Sequence, residues 1–109
     1  MSKELFGSST AEKVLLFMFV YEDGYATEIA KTFSVSLNMI QKQLLKFEEG
    51  GILVNRLRGK VKLFYWNPRY PFLTELKSLL AKIYKYLPDN EKEKYYIKRT
   101  RPRRSGKPT

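Results

Sequence analysis

The sequence has no cysteine and no histidine in its 109 residues. Their absence excludes disulfides, thiolate or imidazole metal sites, and any catalysis that needs a thiol nucleophile or an imidazole base. No metal and no cofactor is expected. Long hydrophobic runs are also missing. The longest candidate, VLLFMFV at residues 14–20, is far short of the roughly 20 apolar residues that span a bilayer. Glu12 precedes it, Glu22-Asp23-Gly24 follows it, and no small-x-small cleavage site is near, so it does not read as a signal peptide. We read it as a buried helix in a chain without membrane attachment, and the lack of cysteine suits a reducing cytoplasm. There is no Walker loop, GxGxxG, GxSxG, carboxylate cluster of metal-ligand spacing, or internal repeat. An enzyme is therefore not expected.

What is present is a modest apolar core and an excess of positive charge. With 43% hydrophobic and 15% aromatic residues, the chain can fold as one domain. The net charge is +10, but Lys98, Arg99, Arg101, Arg103, Arg104 and Lys107 crowd the last dozen positions with no acid among them. The body is only mildly basic. Placement of charge must therefore carry any argument about partners.

The periodicity changes several times along the chain. Residues 1–9 form a polar lead-in, and Ser9-Thr10-Ala11-Glu12 matches a capping box that opens a first helix over residues 10–21. That helix is apolar nearly all round in its second half, so it should lie beneath other elements. Two further helices follow. Ala26, Ile29, Ala30 and Phe33 share one face, and after Ser34-Val35-Ser36 a second stripe runs Leu37, Ile40, Leu44, Phe47. Ser36 suits an N-cap and small Ala30 allows a close crossing, which is helix-turn-helix chemistry.

The second of these helices leaves Asn38, Met39, Gln41, Lys42, Leu45 and Lys46 outside. In a helix-turn-helix this helix enters the DNA major groove with its N-terminal half against the bases. Asn and Gln can pair bidentately with adenine, and Lys can donate to guanine or phosphate. The same residues also suit an ordinary solvated face. Gly50-Gly51 ends the helix, and residues 52–67 alternate as a hairpin. A three-residue turn at Arg58-Gly59-Lys60 would pair Leu57 with Val61 and place Leu53, Leu57, Val61, Leu63 and Tyr65 on one face. Arg56 and Lys62 would then share the other. Arg56, Arg58, Lys60 and Lys62 make a cationic tip, which can grip phosphates or simply discourage edge-to-edge pairing. A long amphipathic helix over residues 72–87 presents Leu76, Leu79, Leu80, Ile83 and Leu87 as a candidate dimer stripe, opposite Lys77, Lys82 and Lys85. A short charged helix over residues 91–99 can follow it.

This order of helices and basic hairpin resembles the winged helix-turn-helix transcriptional regulators, particularly the ArsR-like and MarR-like groups. The resemblance rests on Ile29-Ala30, Val35-Ser36, Ile40, Leu44, the run Phe47 to Leu53, and Arg56-Leu57-Arg58-Gly59-Lys60. It implies a mainly α fold with a small hairpin: a three-helix core, a two-stranded wing and a long C-terminal helix. The divisions would be 10–67 for DNA binding, 68–97 for possible dimerisation and 98–109 for a basic disordered tail. It also implies a homodimer on double-stranded DNA. Asn38, Met39, Gln41, Lys42 and Lys46 would then face the major groove, and Arg56, Arg58, Lys60 and Lys62 would serve as wing contacts. Metal-sensing ArsR relatives use Cys, His and carboxylate clusters, and this chain lacks the first two. Two other classes stay open: a winged helix that docks on proteins, and an RNA-binding domain using the basic tail with Tyr95 and Tyr96 as stacking rings.

Overall fold

The computed structural model describes residues 6–96; the basic tail at 98–109 lies outside the described residues. The elements in chain order are α1 (Ser9–Tyr21), β1 (Asp23–Tyr25), α2 (Ala26–Phe33), α3 (Leu37–Glu49), β2 (Leu53–Arg58), β3 (Val61–Trp66), α4 (Leu73–Lys85) and α5 (Asp89–Tyr95). The cap of α1 is one residue earlier than expected, since the Ser8 hydroxyl, not that of Ser9, accepts from the Ala11 N–H at 3.1 Å.

Helix α1 is the centre of the molecule. Val14, Leu15, Leu16, Phe17 and Met18 are all essentially inaccessible, as an all-round apolar helix requires. It is contacted by α2, α3, α4 and β1. Ile29, Ala30 and Phe33 of α2, Ile40 and Leu44 of α3, Leu53 and Trp66 of the hairpin, and Leu80, Ile83 and Leu87 from the α4 region complete one continuous core. The aromatic residues of α1 thus pack within that core: the Phe17 ring lies 4.6 Å from that of Tyr21, and that of Phe19 lies 6.1 Å from that of Tyr84.

The sheet has three strands rather than the two of a simple hairpin, in the order β1-β3-β2, all antiparallel. Asp23-Gly24-Tyr25 is the extra strand, overlapping the Glu22-Asp23-Gly24 run that reads as the stop of the first helix. It pairs with Tyr65, Phe64 and Leu63. Glu22 makes the change of direction by adopting a left-handed conformation at φ 71° while its N–H donates to the Met18 carbonyl. The Trp66 indole N–H donates to that same carbonyl at 3.1 Å, tying the last strand to the end of α1.

The hairpin register differs by one residue from the sequence expectation. The loop is Gly59-Lys60, with Arg58 opposite Val61, Leu57 opposite Lys62 and Leu53 opposite Trp66. Gly59, at φ 70°, supplies the left-handed residue that a two-residue hairpin loop needs. One face therefore holds Leu53, Asn55, Leu57, Lys62, Phe64 and Trp66, and the other holds Val54, Arg56, Arg58, Val61, Leu63 and Tyr65. Burying Phe64 and Trp66 together outweighs the mostly aliphatic face that the longer turn would have made, since aromatic rings bring more apolar area into the core.

The end of the described chain folds back. The Tyr95 and Tyr96 rings lie 5.0 and 5.8 Å from that of Phe33, and the Tyr21 hydroxyl donates to the Tyr95 carbonyl at 3.1 Å. Tyr96 is buried, and that burial, aided by Glu12 and Glu91, pushes its phenol upward so that it stays protonated. Tyr96 is thereby committed to the core and is not available as a stacking ring for single-stranded RNA, while Tyr95 is half-buried against it.

Two substitutions test this packing. A Cβ at Gly24 would come within 2.6 Å of Phe17 Cε1 in the filled core, so Gly24→Ala should lower unfolding stability by about 1–3 kcal/mol in urea titrations. Ser34 sits at φ 56°, ψ 45° as the left-handed cap of α2. Relieving a strain of about 1–2 kcal/mol against an unfolded-chain entropy of about 0.4–1 kcal/mol, Ser34→Gly should raise stability by up to about 1.6 kcal/mol.

Candidate nucleic-acid interface

The turn between α2 and α3 is built from backbone chemistry. Val35 N–H donates to the Ala30 carbonyl at 3.1 Å and Ser34 N–H to that of Lys31 at 3.3 Å, the paired bonds of a Schellman ending. Ser34 fills the left-handed position that glycine usually takes. Ser36 then starts α3, its hydroxyl accepting from the Met39 N–H at 3.1 Å. Ile40 and Leu44 are completely buried, which fixes the rotation of α3 about its own axis.

That rotation exposes Asn38, Met39, Gln41, Lys42 and Lys46, the residues singled out from sequence. At about 100° per residue, the stripe opposite the buried pair runs Asn38, Lys42, Leu45, Glu49. Leu37 is 39% exposed, so it belongs less to the core than its place in the apolar stripe suggests. Leu45 matters more. It is 52% exposed in the middle of the outward stripe, where a side chain chosen for solubility would be polar. Its signal in the sequence was an apolar residue out of phase with its helix. Glu49, exposed at the C-terminal end of the same stripe, is the second residue that the spacing of cations alone did not bring forward.

The wing stands beside α3, held by a side-chain bond. Asn55 Nδ2 donates to the Glu48 carboxylate, so β2 is fastened to the last turn of α3. At its base, Asn67 Nδ2 donates to the Gly51 carbonyl at 2.8 Å and Asn67 N–H to that of Ile52 at 3.0 Å. Arg56, Arg58, Lys60 and Lys62 are all exposed, but the register separates them. Arg56 and Lys62 do not share a face as expected. Arg56 and Arg58 lie on the side away from the core, with Arg56 packed over the Tyr65 ring at 5.4 Å. Lys62 lies on the helix-facing side and Lys60 at the tip. Lys60, Lys62, Val61 and Phe64 join Gln41, Leu45 and Glu48 in lining a groove of about 430 Å³ between wing and helix.

Of the candidate dimer stripe, Leu80, Ile83 and Leu87 face inward and close the core of their own chain, Leu76 is half-buried, and Leu79 remains 38% exposed. Phe72 and Tyr86, which cap α4 at its two ends, are exposed at 61% and 60%.

A helix-turn-helix followed by a two-stranded wing that shares its sheet with a strand after the first helix defines a winged helix-turn-helix fold, and this chain has it. No family model and no curated protein matches the sequence. Among solved structures, a variant of ZitR from Lactococcus lactis is similar, with 17% identity and a TM-score of 0.53 over 79% of this chain and 66% of that one. A second ZitR variant matches with 20% identity, a TM-score of 0.53 and the same coverage. The adhesin competence repressor AdcR from Streptococcus pyogenes is similar with 15% identity and a TM-score of 0.52 over 84% of this chain and 81% of that one. The chain thus spans about two-thirds of the ZitR length, and the likeness is one of fold. Among the described residues no helix is long and apolar enough to cross a membrane.

The Glu48–Asn55 bond makes its own prediction. Asn55→Ala leaves a half-buried carboxylate without its donor, at a cost of about 1 kcal/mol. Amide exchange should speed up in β2 and β3 near the tip while the amides of α1 keep their protection.

Proposed function

We propose that this chain is a sequence-specific regulator that binds double-stranded DNA as a pair of identical chains. The observation that carries the reading is the exposure of Asn38, Gln41 and Lys42 on α3, next to a wing whose Arg56, Arg58, Lys60 and Lys62 are exposed as well. The core fixes which face of α3 is outward, and that face carries amide and ammonium groups able to reach base edges in a major groove. The wing cations serve phosphates. Their division between two faces and the tip suits a rod placed along or across a backbone better than a flat contact. That the similar AdcR is a repressor by name supports a role in transcription.

Charge also sets the limits of the contact. Glu48 and Glu49 at the end of α3 repel phosphates, so the insertion should involve residues 38–46 and end there. Within that span Met39 and Leu45 are the apolar readers. Both are about half exposed, and an apolar side chain in a major groove is suited to the methyl group of thymine.

A second reading has one observation in its favour. Leu57 and Val61 near the wing tip are 64% and 49% exposed, so the wing presents apolar groups together with cations, as a protein-docking surface often does. The two readings separate in a binding titration against random duplex and against the DNA upstream of the chain's own coding region. With Lys42, Lys46 and the four wing cations on phosphates, log affinity should fall with log salt at a slope of about −5 per chain, with tighter binding to the upstream fragment. A flat salt response, or no binding by the folded protein at low salt, contradicts the DNA reading and favours docking on a protein.

Base reading by Leu45 has a separate check. Replacing the contacted thymines by uracil removes only methyl groups and should weaken binding about fourfold per methyl, from the value of one buried carbon. Leu45→Ala should abolish that difference while leaving the salt slope unchanged.

A further inference from the structure

A cavity of about 310 Å³ opens where the end of the described chain folds back on α1. Leu16, Leu87 and Pro88 give it apolar walls, and Glu12, Glu91 and Tyr96 bring side-chain oxygens to it. Glu12 and Leu16 are four residues apart on α1, so both project from one face of that helix. No residue of α3 or the wing lines it.

The fold does not use these oxygens. Tyr96 is 3% exposed, yet among the described residues no group donates to its hydroxyl or accepts from it, and neither carboxylate has an ion-pair partner. A buried hydroxyl without a partner is costly, so folded proteins nearly always supply one. After burial, the largest influences on the phenol are the two cavity carboxylates, Glu12 and then Glu91, which favour its protonated form. The hydroxyl therefore looks toward the acids. The ammonium groups of the same helices lie over aromatic rings instead. Lys13, which also borders the cavity, is 5.8 Å from the centre of the Phe33 ring, Lys92 is 5.3 Å from that of Tyr84, and Lys94 is 5.2 Å from that of Tyr95.

One class of ligand satisfies all of these groups. A primary ammonium carries a positive charge and three N–H donors, which match two carboxylates and one phenol oxygen. A hard divalent metal ion needs six or more oxygens, and among the described residues no three Asp, Glu, His or Cys side chains gather to hold one. An anion would meet two acids. The apolar walls suit a hydrocarbon group on the nitrogen, since cavities of this kind bind through apolar surface and a few placed polar groups.

We propose that this cavity binds a small primary amine in its ammonium form, with Glu12 and Glu91 facing the charge, the Tyr96 oxygen accepting one N–H, and Leu16, Leu87 and Pro88 covering the apolar end. The site stands independently of the DNA reading.

The test is an NMR titration of the isotope-labelled full chain with 2-phenylethylamine, using 3-phenylpropanoate as an anion of similar shape and circular dichroism to confirm that each variant folds. The amine should saturate with a Kd of about 1 mM or tighter, as about nine non-hydrogen atoms allow, and should shift amides within residues 12–16 and 87–96. The anion should not bind. Tyr96→Phe should weaken the amine about fivefold with no loss of stability in urea, because the hydroxyl it removes has no partner in the free chain. Glu12→Gln and Glu91→Gln should each weaken it about threefold. No saturation at about ten times that concentration, equal binding of the anion, or an affinity unchanged in all three variants would overturn the proposal. So would amine binding that tightens more than about tenfold when Lys98, Arg99, Arg101, Arg103, Arg104 and Lys107 are all changed to Gln in the full chain, since the site would then belong to the chain's own cations.

Discussion

A helix that is apolar on every side can exist in water only if it is surrounded, and in this protein that constraint falls on α1. Phe17, Met18 and their neighbours are fully buried, each such side chain contributing about 1.5–3 kcal/mol when removed from water. A chain of this length has to commit most of its elements to that task. Helices α2, α3 and α4 and strand β1 all lie against α1. Its end also needs polar partners, and the Met18 carbonyl receives both the Glu22 N–H and the Trp66 indole N–H. The last strand of the wing is thereby fixed to the centre of the core.

The exposed features follow from this arrangement. Because α3 offers only Ile40 and Leu44 as fully buried residues, most of its circumference is free to carry chemistry that the core does not restrict. The wing extends beyond the core where Leu57 to Lys62 have no cover. Its position relative to α3 is set by the bonds of Asn67 to Gly51 and Ile52 at one end and of Asn55 to Glu48 further out. A helix and a tethered arm are thus held side by side, and half-buried Glu48 with exposed Glu49 marks where contact with a polyanion should stop. On α4 the same economy turns Leu80 and Ile83 into the core and leaves Leu79 exposed.

Much of this was legible in the sequence because it depends on periodicity. The all-round apolar run of α1, the stripe of α2, the Ile40 and Leu44 part of the α3 stripe, the Gly50-Gly51 ending and the change to alternation afterwards match the reading, while Leu37 is exposed. What was hidden depends on contacts between distant residues. Strand β1 contains Gly24, whose missing side chain admits the Phe17 ring, and nothing local distinguishes that glycine from a helix stop. The hairpin slipped by one because both loop lengths give plausible faces, and only the core decides that Phe64 and Trp66 must face inward together. Leu80, Ile83 and Leu87 look like a dimer stripe until α1 takes them. Leu45 was visible as an apolar residue out of phase, but its significance needed the rotation that Ile40 and Leu44 impose.

The central claim is that α3 and the wing together meet double-stranded DNA. Backbone amide shifts of the isotope-labelled chain, followed by NMR as a short duplex is added, test it most directly. The account predicts that the perturbed amides fall in residues 38–46 and 56–62, with those of α1 nearly unmoved. Perturbations confined to α4, or none at all with the chain folded and duplex in excess, would contradict it.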